Sequence, residues 1–405
     1  MDFSVLDLPP EILILICEQI ETIDDKINFA RTHPKLWDAF AEHSRKEVRS
    51  EICFDEVFEY VAYYDFFLEW WGPSLKSIDS VNVADSGVLV ETAAKFCPNL
   101  EKIIFDVRNA NIKKLEENLP KLKMLEHIGM EHLGEHTNAS LIKSFQSLTN
   151  LRSLHFYFWS LKKSERVQLN KLIQLEELRI EAIDTDEITD ILPLLGHLRV
   201  LTICHLDTTT LNYLAKHCTQ LEKLSMIELT PSNYSNIQIF PYFSKLLRLN
   251  IDVWSEIYVN SFGSYLSNRY KNQLKGLHIH FLTLDSEEIS HIAEFQALKQ
   301  LSFREILPNA FDQLVKMPLE KIESRTLTQF DILRLVKECS SLKELTCRCD
   351  DIDEEFIPVL LDKLEKKGTQ PDLPFKLTII CYIIFKTDLI NQLAVHPKSN
   401  LLNLC

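Results

Sequence analysis

A single phrase returns along most of this chain: a leucine, two residues, a leucine or isoleucine, one residue, and often a further apolar side chain. It starts at Leu75, Leu100, Leu122, Leu151, Leu175 and Leu198, and again at Leu221, Leu246, Leu274, Leu298, Leu319 and Leu342. Representative copies read Leu100-Glu-Lys-Ile103-Ile-Phe105 and Leu298-Lys-Gln-Leu301-Ser-Phe303. Twelve starts at steps of 21 to 29 residues leave little freedom in the fold. Alternating apolar positions describe a short strand with one buried face. One such strand cannot cover its face alone, so successive copies must stack. The residues between them must then cross back over the sheet as helices to bring each strand in parallel to the last.

The intervening segments carry helix starts: Asp184 before Ile188–Leu195, Asp285 before Ile289–Phe295, and Asn138 before Leu141–Phe145. Asp and Asn side chains accept hydrogen bonds from the unpaired N–H groups of a first turn. Cys97, Cys218 and Cys339 each precede a strand leucine by three residues, and this equivalent placement reads as buried structural thiols. Over residues 75–370 the chain resembles leucine-rich repeats, about twelve of them, and the cysteine copies resemble the cysteine-containing class. The resemblance implies an α/β solenoid, a horseshoe with a parallel sheet on its concave side. Residues 371–405 read as a last strand and C-terminal cap, with the apolar run Thr378–Phe385 as a buried strand.

Ahead of the repeats, Leu8–Phe40 holds more apolar surface than its size can bury. Pro9 and Pro10 suit the opening of a helix from about Glu11, where their missing donors cost nothing. Ile12, Leu15, Ile16 and Ile20 share one stripe of it, and Leu13, Ile14 and Cys17 cover the opposite side. A second helix fits Asp25–Ala30, and a third from Pro34 carries Trp37 and Phe40. A unit of about forty residues cannot cover both faces, so the surplus is expected to meet another protein.

Leu8-Pro9-Pro10-Glu11-Ile12-Leu13, with Ile16, Ile20, Ile27, Lys35 and Trp37, resembles the F-box, the three-helix module by which substrate receptors dock on the Skp adaptor of cullin-RING ubiquitin ligases. Pro34 and Cys17 depart from it, standing where the family often has cysteine and phenylalanine. The resemblance implies an F-box over residues 1–45. Its adaptor contact and supporting core would be Leu8, Pro9, Ile12, Leu15, Ile16, Ile20, Ile27 and Trp37, with cullin reached through the adaptor. Without the resemblance, an ordinary helical cap fits the same residues. Residues 46–74 read as a helical, aromatic-rich connector and N-terminal cap, with no Gly/Ser-rich linker to loosen it.

With 44 Lys and Arg against 59 Asp and Glu, the net charge of −15 argues against nucleic acid or an anionic membrane surface as the main partner. The N-terminus lacks a signal-peptide pattern, apolar runs are too short to span a bilayer, and ten cysteines form no disulfide framework. A cytoplasmic or nuclear protein is expected. The eight glycines include no Gly-x-Gly, there is no Cys-x-x-Cys, and Gly134 interrupts His132–His136. No cofactor, metal or catalytic constellation is expected.

Period-two alternation then assigns outward side chains. His155, Tyr157, Trp159 and Trp254 place large rings on the sheet, the residue types that anchor interfaces. Arg304, Lys321, Arg325 and Arg348 form a basic stripe suited to an acidic or phosphorylated segment, unless they pair with Glu323, Glu344 and neighbouring acids on a solvated face. In the phrase at Leu122, Met124, Glu126 and Ile128 fall outward. The expected function is a non-catalytic substrate receptor, docking on a Skp-type adaptor and capturing a target protein for ubiquitin-dependent proteasomal degradation. A non-ligase scaffold, or an inhibitor of a basic partner protein, is the alternative.

Overall fold

Pro9 stands as the N-cap and Pro10 as the first residue of helix α1 (Pro10–Gln19), where a missing N–H leaves no bond unmade. Leu13 and Cys17, one turn apart, are its buried residues. They face α3 (Pro34–Lys46), which buries Leu36, Ala39 and Phe40 and also receives Ile27 and Ala30 of α2 (Ile23–Arg31). The structure is a computed structural model that describes residues 4–404, except 21–22, 47–49, 55–61, 82–84, 133–138, 158–159, 183–184, 206–207, 228–239, 253–261, 281 and 381–382. The chain divides into two compact units, residues 1–181 with 189–194, and residues 182–188 with 195–405. Among the described residues the repeat ladders hold fifteen strands, all parallel, six in the first unit and nine in the second.

In the first unit the strands are β1 (Glu51–Cys53), β2 (Ser77–Ser80), β3 (Lys102–Val107), β4 (His127–His132), β5 (Ser153–Tyr157) and β6 (Glu177–Ala182). Their register sets Ile52, Ile78, Ile103, Ile128, Leu154 and Leu178 in one column. Every member is buried, each contributing on the order of 1.5–3 kcal/mol relative to exposure. Two expectations change here. Glu51–Cys53, read as part of a helical connector, is a strand, because Ile52 pairs with Ile78 at the head of that column. The third phrase begins at Leu125 rather than Leu122: Ile128 lies in the buried column, and His127, Gly129 and Glu131 take the open face expected for Met124, Glu126 and Ile128. Leu122, Leu125 and Ile128 are three residues apart and all buried, so the spacing alone admits either phase.

Helix α4 (Ala62–Trp71) joins the three-helix module to this sheet. Tyr64, Phe67, Leu68 and Trp71 are buried, the Trp71 ring stacks on Phe67 at 4.8 Å, and Phe67 meets Phe40 of α3 edge-on at 6.2 Å. The Trp71 indole N–H donates to the Ser44 carbonyl at 2.9 Å, pairing one of the carbonyls that the last turn of α3 leaves open. At Gly72, a β-carbon would run into the Leu68 carbonyl oxygen and lie 2.5 Å from that of Phe96. Glycine is what lets these two helix ends close on each other.

The second unit holds β7 (Val200–His205), β8 (Lys223–Ile227), β9 (Arg248–Asp252), β10 (Gly276–Ile279), β12 (Gln300–Phe303), β14 (Lys321–Ser324), β15 (Glu344–Arg348), β16 (Phe375–Ile380) and β17 (Leu402–Leu404), while β11 (Thr283–Leu284) and β13 (Glu305–Ile306) pair separately. The column continues as Leu201, Leu224, Leu249, Leu277, Leu301, Ile322, Leu345, Leu377 and Leu404. Asp285 caps its helix as expected, accepting from the Glu287 and Glu288 N–H groups. Asp184 and Asn138 lie outside the described residues. The run Thr378–Phe385 is not one strand: β16 stops at Ile380 and a helix occupies Ile383–Val395. An unbroken apolar run has no period to distinguish the two.

The three phased cysteines behave alike. Cys97, Cys218 and Cys339 are buried, each N–H closes the last turn of a helix, and each carbonyl accepts from the strand leucine three residues on, at 3.3–3.4 Å. Burial pushes the Cys97 and Cys218 thiols up to about 12.

Candidate docking surfaces

On α1 the two expected stripes separate. Leu13 and Cys17 turn inward, whereas Ile12 is 40% and Leu15 51% exposed, with Pro9 exposed and Leu8, Ile16 and Ile20 half-buried. Of the residues assigned to adaptor contact, Ile27 is buried and belongs to the module's core, and Trp37 is half-buried on α3. The Lys35 ammonium donates to the Leu6 carbonyl at 3.1 Å, fastening the segment before α1 to α3. The apolar face Pro9, Ile12, Leu15 is thus held on a packed three-helix support.

The open face of the first unit carries a linked cluster. In register, Gly129, His155 and Arg179 lie side by side on β4, β5 and β6. His155 Nε2 is 3.1 Å from Glu177 Oε1 and Nδ1 is 3.2 Å from the Tyr157 hydroxyl. The hydrogen bond with His155 holds the Glu177 carboxyl below the usual range. In the tautomer that carries its proton on Nε2, towards Glu177, Nδ1 accepts the Tyr157 O–H. The Arg179 guanidinium lies 4.8 Å from the Tyr157 ring centre, a cation–π contact. The His127 ring meets His155 edge-on at 4.5 Å, and its Nδ1 is 2.8 Å from Ser153 Oγ. Burial, and then His155, push His127 down to about 4, so it stays neutral at pH 7.

Chemically this cluster is not a nucleophile–base–acid relay. Ser153 Oγ, at 3.3 Å, and Glu177 approach the same nitrogen of His155, whereas a relay needs them on opposite nitrogens. It is an interlinked set of rings and paired charges on the open face. A β-carbon on Gly129 would lie 3.1 Å from Ile104 and 3.3 Å from the Tyr157 ring, so glycine makes room for that ring to lie across β4. A phrase starting at Leu122, three residues before Leu125, turns Met124, Glu126 and Ile128 outward in place of His127 and Gly129. Trp159, expected beside Tyr157, and Trp254, expected in the second unit, lie outside the described residues.

The second unit has an open cleft of about 830 Å³ at the C-terminal ends of its strands. Arg304, Arg325 and Arg348 line it together with Glu323, Asp350 and Asp351, three cations against three acids. Lys321, expected in the same stripe, is not among the lining residues: its ammonium is 2.8 Å from Glu344 Oε1, which Lys376 also approaches at 3.3 Å. Pairing with nearby acids is the alternative the sequence left open, and it holds for Lys321 and for two of the arginines. Arg348 meets Asp350 at 3.1 Å, and Arg325 has a long pair to Asp252 at 3.9 Å. Burial, then His280, then nearby cations such as Lys321 push His278 down to about 4.

No family model matches the chain, and no curated protein matches it. Among solved structures, the C-terminal domain of tropomodulin from Caenorhabditis elegans is 15% identical, with a TM-score of 0.28 over 33% of this chain and 90% of that one. A crystal structure of the yeast Rad7 and Elc1 complex contains a chain 16% identical, with a TM-score of 0.45 over 84% of this chain and 88% of that one. Both scores fall below one half. The solenoid assignment rests on the strand register, a leucine-rich-repeat-like stack of parallel strands and helices in each unit.

Proposed function

We propose that this chain is a non-catalytic receptor that docks on a Skp-type adaptor through residues 1–45 and captures a target protein on its repeats, inside the cytoplasm or nucleus. One observation carries the reading. The N-terminal helices pack into a supported module while Pro9, Ile12 and Leu15 remain outside it as an apolar face. An amphipathic helix face of this kind, backed by a rigid support, fits a hydrophobic groove on a partner. The resemblance of Leu8–Leu13 to the F-box supports a Skp adaptor as that partner, with cullin reached through it. The Trp71–Ser44 hydrogen bond and the Phe40–Phe67–Trp71 ring stack favour the same reading, since a receptor must hold its target at a set distance from the ligase machinery. Proximity and orientation are then the whole contribution of this chain to ubiquitin transfer.

The test is recovery of purified Skp adaptor and cullin by the full chain, compared with a Pro9→Ala, Ile12→Ala, Leu15→Ala variant. These side chains are exposed, so the variant should keep its fold. Adaptor and cullin retained by the wild type and lost by the variant is the expected result. Adaptor without cullin would replace the ligase receptor with a non-ligase scaffold, and a folded wild type that recovers neither would end the adaptor reading.

A further inference from the structure

The three cleft arginines are evenly placed. Arg304 and Arg325 each follow a strand by one residue, after Phe303 and Ser324, which are register partners, and Arg348 closes β15 one register step beyond Cys347. Arg348 is itself paired in register with Ile380 of β16, 59% exposed. One row therefore reads Arg304, Arg325, Arg348, Ile380 across four neighbouring strands. With strands about 4.8 Å apart, the arginines span about 10 Å and the row about 14 Å.

Backbone bonds fix these positions. The Arg304 N–H donates to Leu282 and its carbonyl accepts from Thr326, the Arg325 N–H donates to Phe303, and the Arg348 carbonyl accepts from Leu327. The backbone of the row is thus ordered before binding, and only the side chains remain to be ordered. Its acids are not equivalent. Asp351 already accepts from the Gln329 N–H and the Cys349 thiol, both at 3.0 Å. Asp350 sits on Arg348, and the side chains of Arg348 and Arg325 are 54% and 61% exposed.

We infer that this cleft binds an extended segment of a partner protein crossing the strands, with anionic side chains at i and i+2 and an aliphatic one at i+4. An extended chain advances about 3.4 Å per residue, so two anions about 7 Å apart fall within the arginine span and the fifth residue reaches Ile380. Carboxylates and phosphoryl groups share the required chemistry, oxygens accepting from guanidinium N–H groups. Asp350 is the internal competitor that an incoming anion displaces from Arg348. This inference deepens the receptor reading, which supplies the need for a target-binding site.

The probes are fluorescent ten-residue peptides with a central Glu-Ala-Glu-Ala-Leu, its phosphoserine counterpart, and a Gln-Ala-Gln-Ala-Leu control, titrated with the full chain by anisotropy. At least one anionic peptide should bind about tenfold or more tightly than the glutamine control. Arg325→Glu and Arg348→Glu should each remove that advantage, and Asp350→Asn should strengthen binding. Whichever anionic peptide binds identifies the source of the charge. Equal binding of the control, binding indifferent to both arginine substitutions, or no binding of either anionic peptide overturns the inference. Adaptor recovery by the same proteins separates the two readings: a chain that binds the peptide without recovering adaptor loses only the receptor reading, and the converse loses only the cleft.

Discussion

Replacing Trp71 with phenylalanine tests whether the N-terminal module and the first repeats form one cooperative body. Phenylalanine keeps a ring against Phe67 but lacks the indole N–H, so the Ser44 carbonyl at the end of α3 loses its 2.9 Å donor. Leaving such a buried acceptor unpaired costs about 1–3 kcal/mol, and the smaller ring adds on the order of 1 kcal/mol for incomplete filling. A total of about 2–4 kcal/mol corresponds to about 30- to 1,000-fold faster opening. Native-state hydrogen exchange reads this directly, because α3 and α4 contribute separate amide probes. Protection should fall by similar factors in Leu36–Ser44 and in Ala62–Trp71. A loss confined to α4, with α3 unchanged, would refute the argument: the module would then be an independent body on a tether.

The phase of the third repeat predicts that Ile128→Ala, in the fully buried column, costs about 2–5 kcal/mol in chemical denaturation. Met124→Ala, 44% exposed, should stay within about 0.5 kcal/mol, and the opposite order would restore the earlier phase. With Cys97 and Cys218 thiols pushed up to about 12 by burial, their thiolate fraction at pH 8 is about a thousandfold below that of an ordinary thiol of pKa 9. Iodoacetamide should label exposed Cys53 in the folded protein and reach those two only on unfolding; rapid labelling of either would contradict the structural role. His127 and His278 titrate near 4 when folded, chiefly through burial, and near 6.5 when unfolded. The unfolded chain binds more protons between those values, so their stabilisation is present above about pH 6.5 and lost as pH falls toward 4. The loss is on the order of 1–2 kcal/mol per ring after allowance for solvent screening. Thermal melts from pH 7.5 to 4.5 should show it, with His127→Gln and His278→Gln flattening the slope; an unchanged slope in both would rule these rings out.

Legibility followed the kind of force involved. The buried column from Ile78 to Leu345 was readable because hydrophobic burial is non-directional and repeats with the strand period, so composition at alternate positions specifies it. The same signal failed where it was degenerate. Leu122, Leu125 and Ile128 satisfy it in two phases, the run Thr378–Phe385 satisfies strand and helix alike, and β1 offers a single buried residue, Ile52. The sites divide the same way. That Arg304, Arg325 and Arg348 share a face follows from alternation, which is local. That Arg325 reaches Asp252, that Lys321 is taken by Glu344, and that Tyr157 lies over Gly129 depend on side-chain directions between repeats, which no local pattern encodes. A solenoid makes this division sharp, because every residue's lateral neighbours are about one repeat away in sequence. Its scaffold can therefore be read from one repeat at a time, whereas what its surface recognises is a property of adjacent repeats in register. Changing Asp350 alone should alter affinity for an anion without altering the fold, because it touches only the second of these.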